Sequence, residues 1–244
     1  MTGESLTWLI AAIAMVALLY SSVGHAGASG YIAVLTLAGL APAEIRPVAL
    51  VLNIIVASIG TWQFWRAGHF SWSLFWPFAL LATPMAFLGG SLALPADYLK
   101  IAIGVVLLLS SANLILRPAA EREGRPPRRA VALASGGVLG LFAGLTGTGG
   151  GIFLTPLLIL TGWARTKQAA GVSVPFILVN SVAGLAGNLS ATRSLPEFIW
   201  PLVAAVIVGG GLGAWLGSNR LPHQAIKRLL ALVLLIAGLK LIFG

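Results

Sequence analysis

The amino-acid sequence predicts an all-α polytopic membrane protein. It is read as two inverted-topology repeats of about five helical segments each, with glycine-broken half-helices or re-entrant hairpins. Three observations predict this: an apolar composition, a chain whose halves match each other, and a lopsided distribution of positive charge. Hydrophobic residues make up 58% of the 244 and charged residues 9%, against about 25% charged in a soluble domain. All six acids, Glu4, Glu44, Asp97, Glu121, Glu123 and Glu197, fall at segment ends or in loops.

The segments follow in order. The first, 5–23, comes after Met1-Thr-Gly-Glu-Ser, which has no Lys or Arg, so it is expected to be retained rather than cleaved as a signal peptide. Gly24-His25-Ala26-Gly27-Ala28-Ser29-Gly30 then breaks the apolar run. Segment 28–40 is too short to cross a bilayer comfortably and reads as a half-helix or one arm of a re-entrant hairpin. Segments 45–65, 72–93 and 98–116 are each long enough to span. Segments 130–145 and 149–161 flank the second break, Gly144-Leu-Thr-Gly-Thr-Gly-Gly-Gly151, and the latter is again short. Segments 169–190, 196–217 and 224–243 complete the chain. Glycine in a helix interior costs about 1 kcal/mol relative to alanine, so two glycine clusters at matched places imply a use for the open backbone.

The strongly charged stretch 117–129 divides the chain into a first repeat, 1–116, and a second, 130–244. Gly24, Gly27 and Gly30 match Gly144, Gly147 and Gly150. Further on, Asn53 matches Asn180, Gly60 matches Gly187, Pro95 matches Pro222 and Lys100 matches Lys227. Trp76-Pro77 and Trp200-Pro201 also correspond. Five segments per half is an odd number, so the second half is inverted. With 117–129 in the cytoplasm, 11 of the 15 basic residues lie inside and 4, Arg46, Lys100, Arg193 and Lys240, lie outside. Four crossings per half give 9 inside and 6 outside, and the positive-inside rule prefers the first arrangement. Both termini are then outside. Trp62, Trp65, Trp72 and Trp76 flank the inner turn at 66–71 as interfacial anchors.

Exposed backbone at membrane depth is tolerated where it packs in protein or lines a cavity. A half-helix starting there presents free N–H groups and the positive end of its dipole, which together suit an anion. The candidate substrate contacts are Gly27, Ser29, Gly30 and Asn53 in the first half, and Thr146, Gly147, Thr148, Gly149, Gly150 and Asn180 in the second. Close packing through small residues accounts for single glycines, but less well for paired clusters. Asn53 and Asn180 either line the site or bond the opened backbone near the breaks. His25 can carry a proton, contact an anionic oxygen, or satisfy a neighbouring carbonyl. Arg46 and Arg165 read as solvated or snorkelling side chains at the two mouths.

Other chemistries lack their residues. There is no cysteine, which excludes disulfides, thiolate metal sites and cysteine catalysis. The glycine clusters lack the Gly-Lys-Ser/Thr ending of a phosphate loop, and neither His-Glu-x-x-His nor Gly-x-Ser-x-Gly occurs. No enzyme activity, metal or cofactor is expected. The net charge of +9 comes mostly from loop arginines without interleaved aromatics, so it reads as topology and not as nucleic-acid binding.

At Gly24-His-Ala-Gly-Ala-Ser-Gly30, Gly144-Leu-Thr-Gly-Thr-Gly-Gly-Gly-Ile-Phe-Leu-Thr-Pro156 and Gln168-Ala-Ala-Gly-Val-Ser173, the chain resembles the TauE/SafE family of sulfite exporters and sulfonate permeases. The resemblance implies a bacterial inner-membrane secondary transporter of sulfite or an organosulfonate. His25, Ala26 and Ala28 depart from the commoner Gly-Gly-Gly form of the first break. Alternating access around a midplane site is the expected mechanism. The alternatives are a passive anion channel and a non-transporting scaffold or sensor subunit. The expected partners are a small anion and the lipid bilayer. A proton or sodium coupling ion and a second copy of the chain, as a homodimer, are the further candidate partners.

Overall fold

Glycine sets the helix boundaries in the computed structural model, which describes residues 3–92, 97–116, 124–188 and 198–243. The first half contains α1 Gly3–Ser22, α2 Ala28–Leu37, α3 Pro42–Arg66, α4 Trp72–Ser91 and α5 Asp97–Leu116. The second contains α6 Arg129–Thr146, α7 Gly151–Leu160, α8 Thr166–Asn188, α9 Ile199–Trp215 and α10 His223–Phe243, with a π-helical turn Leu216–Arg220 closing α9. The described elements are all helical, as the sequence predicts. Pro95, Arg193, Glu197 and linker residues 117–123, including Arg117, Glu121, Arg122 and Glu123, lie outside the described residues.

Helices α2 and α7 have 10 residues each, a rise of about 15 Å, or half of a hydrocarbon core of about 30 Å. Both are therefore half-helices. Each begins after a glycine in the left-handed region, Gly27 at φ 99° and Gly150 at φ 81°. Among the described residues, five helices are long and apolar enough to cross a membrane, within 44–66, 72–91, 129–146, 166–188 and 199–220. Their outward faces carry large apolar side chains such as Leu80, Val138, Val208 and Trp200, an arrangement that lipid accommodates and water penalises.

Helix α6 packs on α4, and α1 packs on α9, through two glycine stripes. A Cβ at Gly136, Gly140 or Gly144 would collide with the carbonyls of Phe78, Ala82 and Ala86. A Cβ at Gly209, Gly213 or Gly217 would collide with those of Ala14, Leu18 and Ser22. Both stripes repeat every fourth residue, the small-xxx-small pattern that lets backbones touch in a membrane. Gly144 therefore belongs to a packing face of α6, and the second break begins at Gly147, the left-handed cap of that helix.

The core has three parts. One joins α1, α2, α3 and α9 with part of α8, a second joins α4, α6, α7 and α8, and a third is built mainly on α5 and α10. Helices α3 and α8 cross the centre. Asn53 meets Ser181, Gly60 faces Val174, and the Gly171 backbone abuts His69 beyond the end of α3. Rising numbers on one helix meet falling numbers on the other, so the two run antiparallel. Trp62, Trp65 and Trp72 are exposed around the α3–α4 turn, with the Arg66 guanidinium 5.6 Å from the Trp62 ring centroid.

Candidate functional site

The two breaks meet at the α3–α8 crossing. Asn53 lies 11 residues into α3 and 13 from its end, about 16 and 20 Å by helical rise, so the meeting point is near the middle of a spanning helix. Its Oδ1 accepts the N–H of Ala28 at 3.1 Å, the first residue of α2. Its Nδ2 donates to Ser181 Oγ on α8 at 2.8 Å. Gly149, with φ 73°, lies against both Asn53 Nδ2 and Ser181 Oγ, so neither amide nor hydroxyl leaves room for a Cβ there. Of the two uses open to Asn53, the structure has it bonded to the opened backbone.

The first break is largely closed. Gly24 abuts Ala170 of α8, and Gly27 abuts the ring of Tyr31. Ser29 donates to Tyr20 on α1 at 3.2 Å. Gly30 sits inside α2 against Val16. Asn53 caps the Ala28 N–H and so removes the leading first-turn donor of α2.

The second break is different. Glycine caps both half-helices and has no side chain to bond the first turn. Among the described residues, however, no side chain accepts the N–H groups of Gly151 and Ile152 as Asn53 accepts that of Ala28, and a helix leaves its first N–H groups without intrahelical partners. His25, 3% exposed, lies within reach of the Gly151 backbone, and its Nε2 forms no hydrogen bond. Phe176 and Ile177 pack on Gly150 and Gly149. One turn further along that face of α8 stands Asn180, 1% exposed, with neither amide atom hydrogen-bonded. Ser173 on α8 and Thr155 on α7 are also buried with unpaired hydroxyls. Thr146 donates to the Phe142 carbonyl at 2.7 Å and pairs with the Thr148 hydroxyl at 2.8 Å. A buried polar group without a partner costs about 1–3 kcal/mol, and several stand along α7 and α8.

Sequence reasoning missed one contributor. Arg46 is not a snorkelling side chain. Its guanidinium turns inward and donates to the carbonyls of Gly89, Gly90 and Gly144. These lie at the ends of α4 and α6, where the negative end of the helix dipole attracts a cation. Its side chain rests on Gly147. No signal in the sequence marks this, because those carbonyls come from elements distant along the chain. At the other end of the α3–α8 pair, His69 Nε2 meets the Ser218 carbonyl at 3.0 Å and Lys167 Nζ meets it at 3.4 Å. Burial holds His69 below its ordinary pKa near 6.5. The bond to Ser218 opposes that shift, and the charges of Lys167 and His223 add to it.

Comparison with known proteins gives a consistent picture. The family model described as "Sulfite exporter TauE/SafE" matches residues 9–241. A "Probable membrane transporter protein y4hK" of Sinorhizobium fredii is 39% identical over 243 residues, covering 96% of this chain and 97% of the relative. A "Probable membrane transporter protein YjnA" of Bacillus subtilis is 29% identical over 241 residues, covering 90% and 92%. No solved structure matches the chain.

Proposed function

The chain belongs to the sulfite exporter TauE/SafE family of membrane transporters, and on that premise we propose that it is a secondary carrier of a small oxyanion, with sulfite or an organosulfonate as substrate. The observation that carries this reading is the second break. Among the described residues no side chain accepts the first N–H groups of α7. His25, with an unpaired Nε2, lies within reach of Gly151, and the unpaired amide of Asn180 stands on α8 one turn beyond the Phe176 and Ile177 contacts, both residues buried. Oriented N–H groups at a helix N-terminus favour anions. Asp and Glu enter the described helices only at their ends, as Glu4, Glu44 and Asp97, so no carboxylate competes for the site.

In this reading the halves are inverted repeats, 1–116 and 130–244, joined by a cytoplasmic linker at 117–129, with the termini outside the inner membrane. The excess of Lys and Arg on the linker side supports that orientation. The site sits where α3 crosses α8, and access alternates between the Arg46 end and the Lys167 end of that crossing.

Reconstitution of the purified chain tests the proposal. Proteoliposomes are expected to take up labelled sulfite or an aliphatic sulfonate, in preference to carboxylates. Imposed pH and sodium gradients identify the coupling ion in the same assay. No flux of any anion refutes the reading.

A further inference from the structure

Three side chains of the first half reach the second break: the buried His25 and Asn53, and the partly buried Arg46. The third carries a full positive charge, and its surroundings do not neutralise it. Its hydrogen-bond acceptors are the carbonyls of Gly89, Gly90 and Gly144, all taken by one terminal nitrogen. Its Nε is buried and forms no hydrogen bond. Glu44, two residues before it, is exposed on the surface of α3, and Arg46 forms no ion pair among the described residues. Carbonyl dipoles at two helix ends hold a guanidinium in place but leave its net charge standing. In a membrane an ionised side chain with no counter-charge is costly and marks an ion pathway.

We propose that Arg46 is the counter-charge of the transported oxyanion. It is a specificity-determining residue at the Gly147 end of the second break, and it is shared between the anion and the carbonyls that close α4 and α6. The inference rests on the transport reading above and adds to it the residue that selects for charge. The placement has a geometric reason. Gly147 presses on the Arg46 side chain so closely that a Cβ there would stand 2.9 Å from Cγ. The left-handed φ of 71° at Gly147 turns the chain away from α6 at that contact and leaves the guanidinium beside the opened backbone. An oxyanion entering the break meets the unspent Nε–H donor together with the donors at the start of α7. Guanidinium pairs with oxyanions through parallel hydrogen bonds, which lysine cannot reproduce. Binding there competes with the Gly89, Gly90 and Gly144 contacts. An arriving anion therefore loosens the tie between α3 and the ends of α4 and α6.

The test compares the wild-type chain with Arg46→Gln and Arg46→Lys in proteoliposomes. The readouts are KM and kcat for labelled sulfite, and competition by methanesulfonate against its neutral isostere methanesulfonamide. Arg46→Gln is expected to raise KM at least tenfold and to erase the preference for the anionic competitor. A role confined to capping helix ends would lower thermal stability and leave that preference intact. Arg46→Lys keeps a charge and a donor for the carbonyls, so it holds the fold if the glutamine variant does not; a severalfold rise in KM is expected. Wild-type flux with unchanged KM and unchanged charge preference in the variants overturns this inference alone. Absence of wild-type flux removes the transport reading and this inference with it.

Discussion

Asn53 and Asn180 occupy matched positions in the sequence, yet the structure gives them opposite energetic roles, and replacing each by alanine separates the two. Asn53 forms two buried hydrogen bonds, to Ala28 N–H at 3.1 Å and to Ser181 Oγ at 2.8 Å. Side-chain hydrogen bonds between helices in a membrane average about 0.6 kcal/mol, with an upper value of about 1.7. The bond to Ala28 also acts as an N-cap, for which about 1 kcal/mol is typical. Asn53→Ala should therefore cost about 1.5–3 kcal/mol. At roughly 2–4 °C per kcal/mol for a chain of this size, the thermal midpoint in detergent drops by about 3–12 °C. Asn180 forms no hydrogen bond with either amide atom. Removing an unpaired buried amide relieves a desolvation cost of about 1–3 kcal/mol, which offsets the lost packing. Asn180→Ala should keep its midpoint within about 3 °C of wild type while losing roughly tenfold or more in anion affinity, about 1.4 kcal/mol. The assay is a thermal melt of each purified protein with and without sulfite, read as the midpoint and its ligand-induced rise. If Asn180→Ala is the less stable variant, or if it keeps the full ligand-induced rise, the division of labour is wrong.

Two further outcomes follow from packing and charge. Gly140→Ala drives a methyl group into the Ala82 carbonyl and should lose about 1–3 kcal/mol by overpacking. Gly137→Ala, whose new Cβ finds only ordinary contact with Leu81 and Met85 at 3.5 and 3.8 Å, should match or exceed wild-type stability; equal melts for the pair would remove the stripe as a packing device. At the other end of α8, His69 has its pKa held below 6.5 mainly by burial. The unfolded chain then binds more protons than the folded one as pH falls below about 6.5, so stability contributed by neutral His69 is present above that pH and lost below it. His69→Gln should flatten the decline in melting temperature between pH 7 and pH 5, and an unaltered slope would show that His69 does not govern it.

Much of the architecture was legible because glycine and length speak directly. A 10-residue apolar stretch after a glycine cluster has too little rise to cross a bilayer, and α2 and α7 are half-helices for that reason. Gly144 was harder. Both a chain break and a tight helix contact require a missing Cβ, so its membership of a cluster pointed to the wrong use. The four-residue spacing of Gly136, Gly140 and Gly144 was the available signal for packing. Arg46 was not legible at all. A lone arginine in the first turns of a helix reads as an interfacial side chain, and what turns it inward is three carbonyls 43, 44 and 98 residues away. The asparagines fall between these cases. Their burial followed from mid-segment placement, whereas the choice of partner depended on which break came within reach.

The glycine stripes have a mechanical consequence. Each welds a helix of one half to a helix of the other: α4 to α6, and α1 to α9. Backbones in direct contact over three successive turns resist sliding, because each carbonyl is seated where a side chain is missing. Any body that moves as a unit must therefore carry α4 with α6, or α1 with α9, and so draws on both halves of the gene product. The charged stretch at 117–129 divides the sequence, and the packing of the described helices crosses that division.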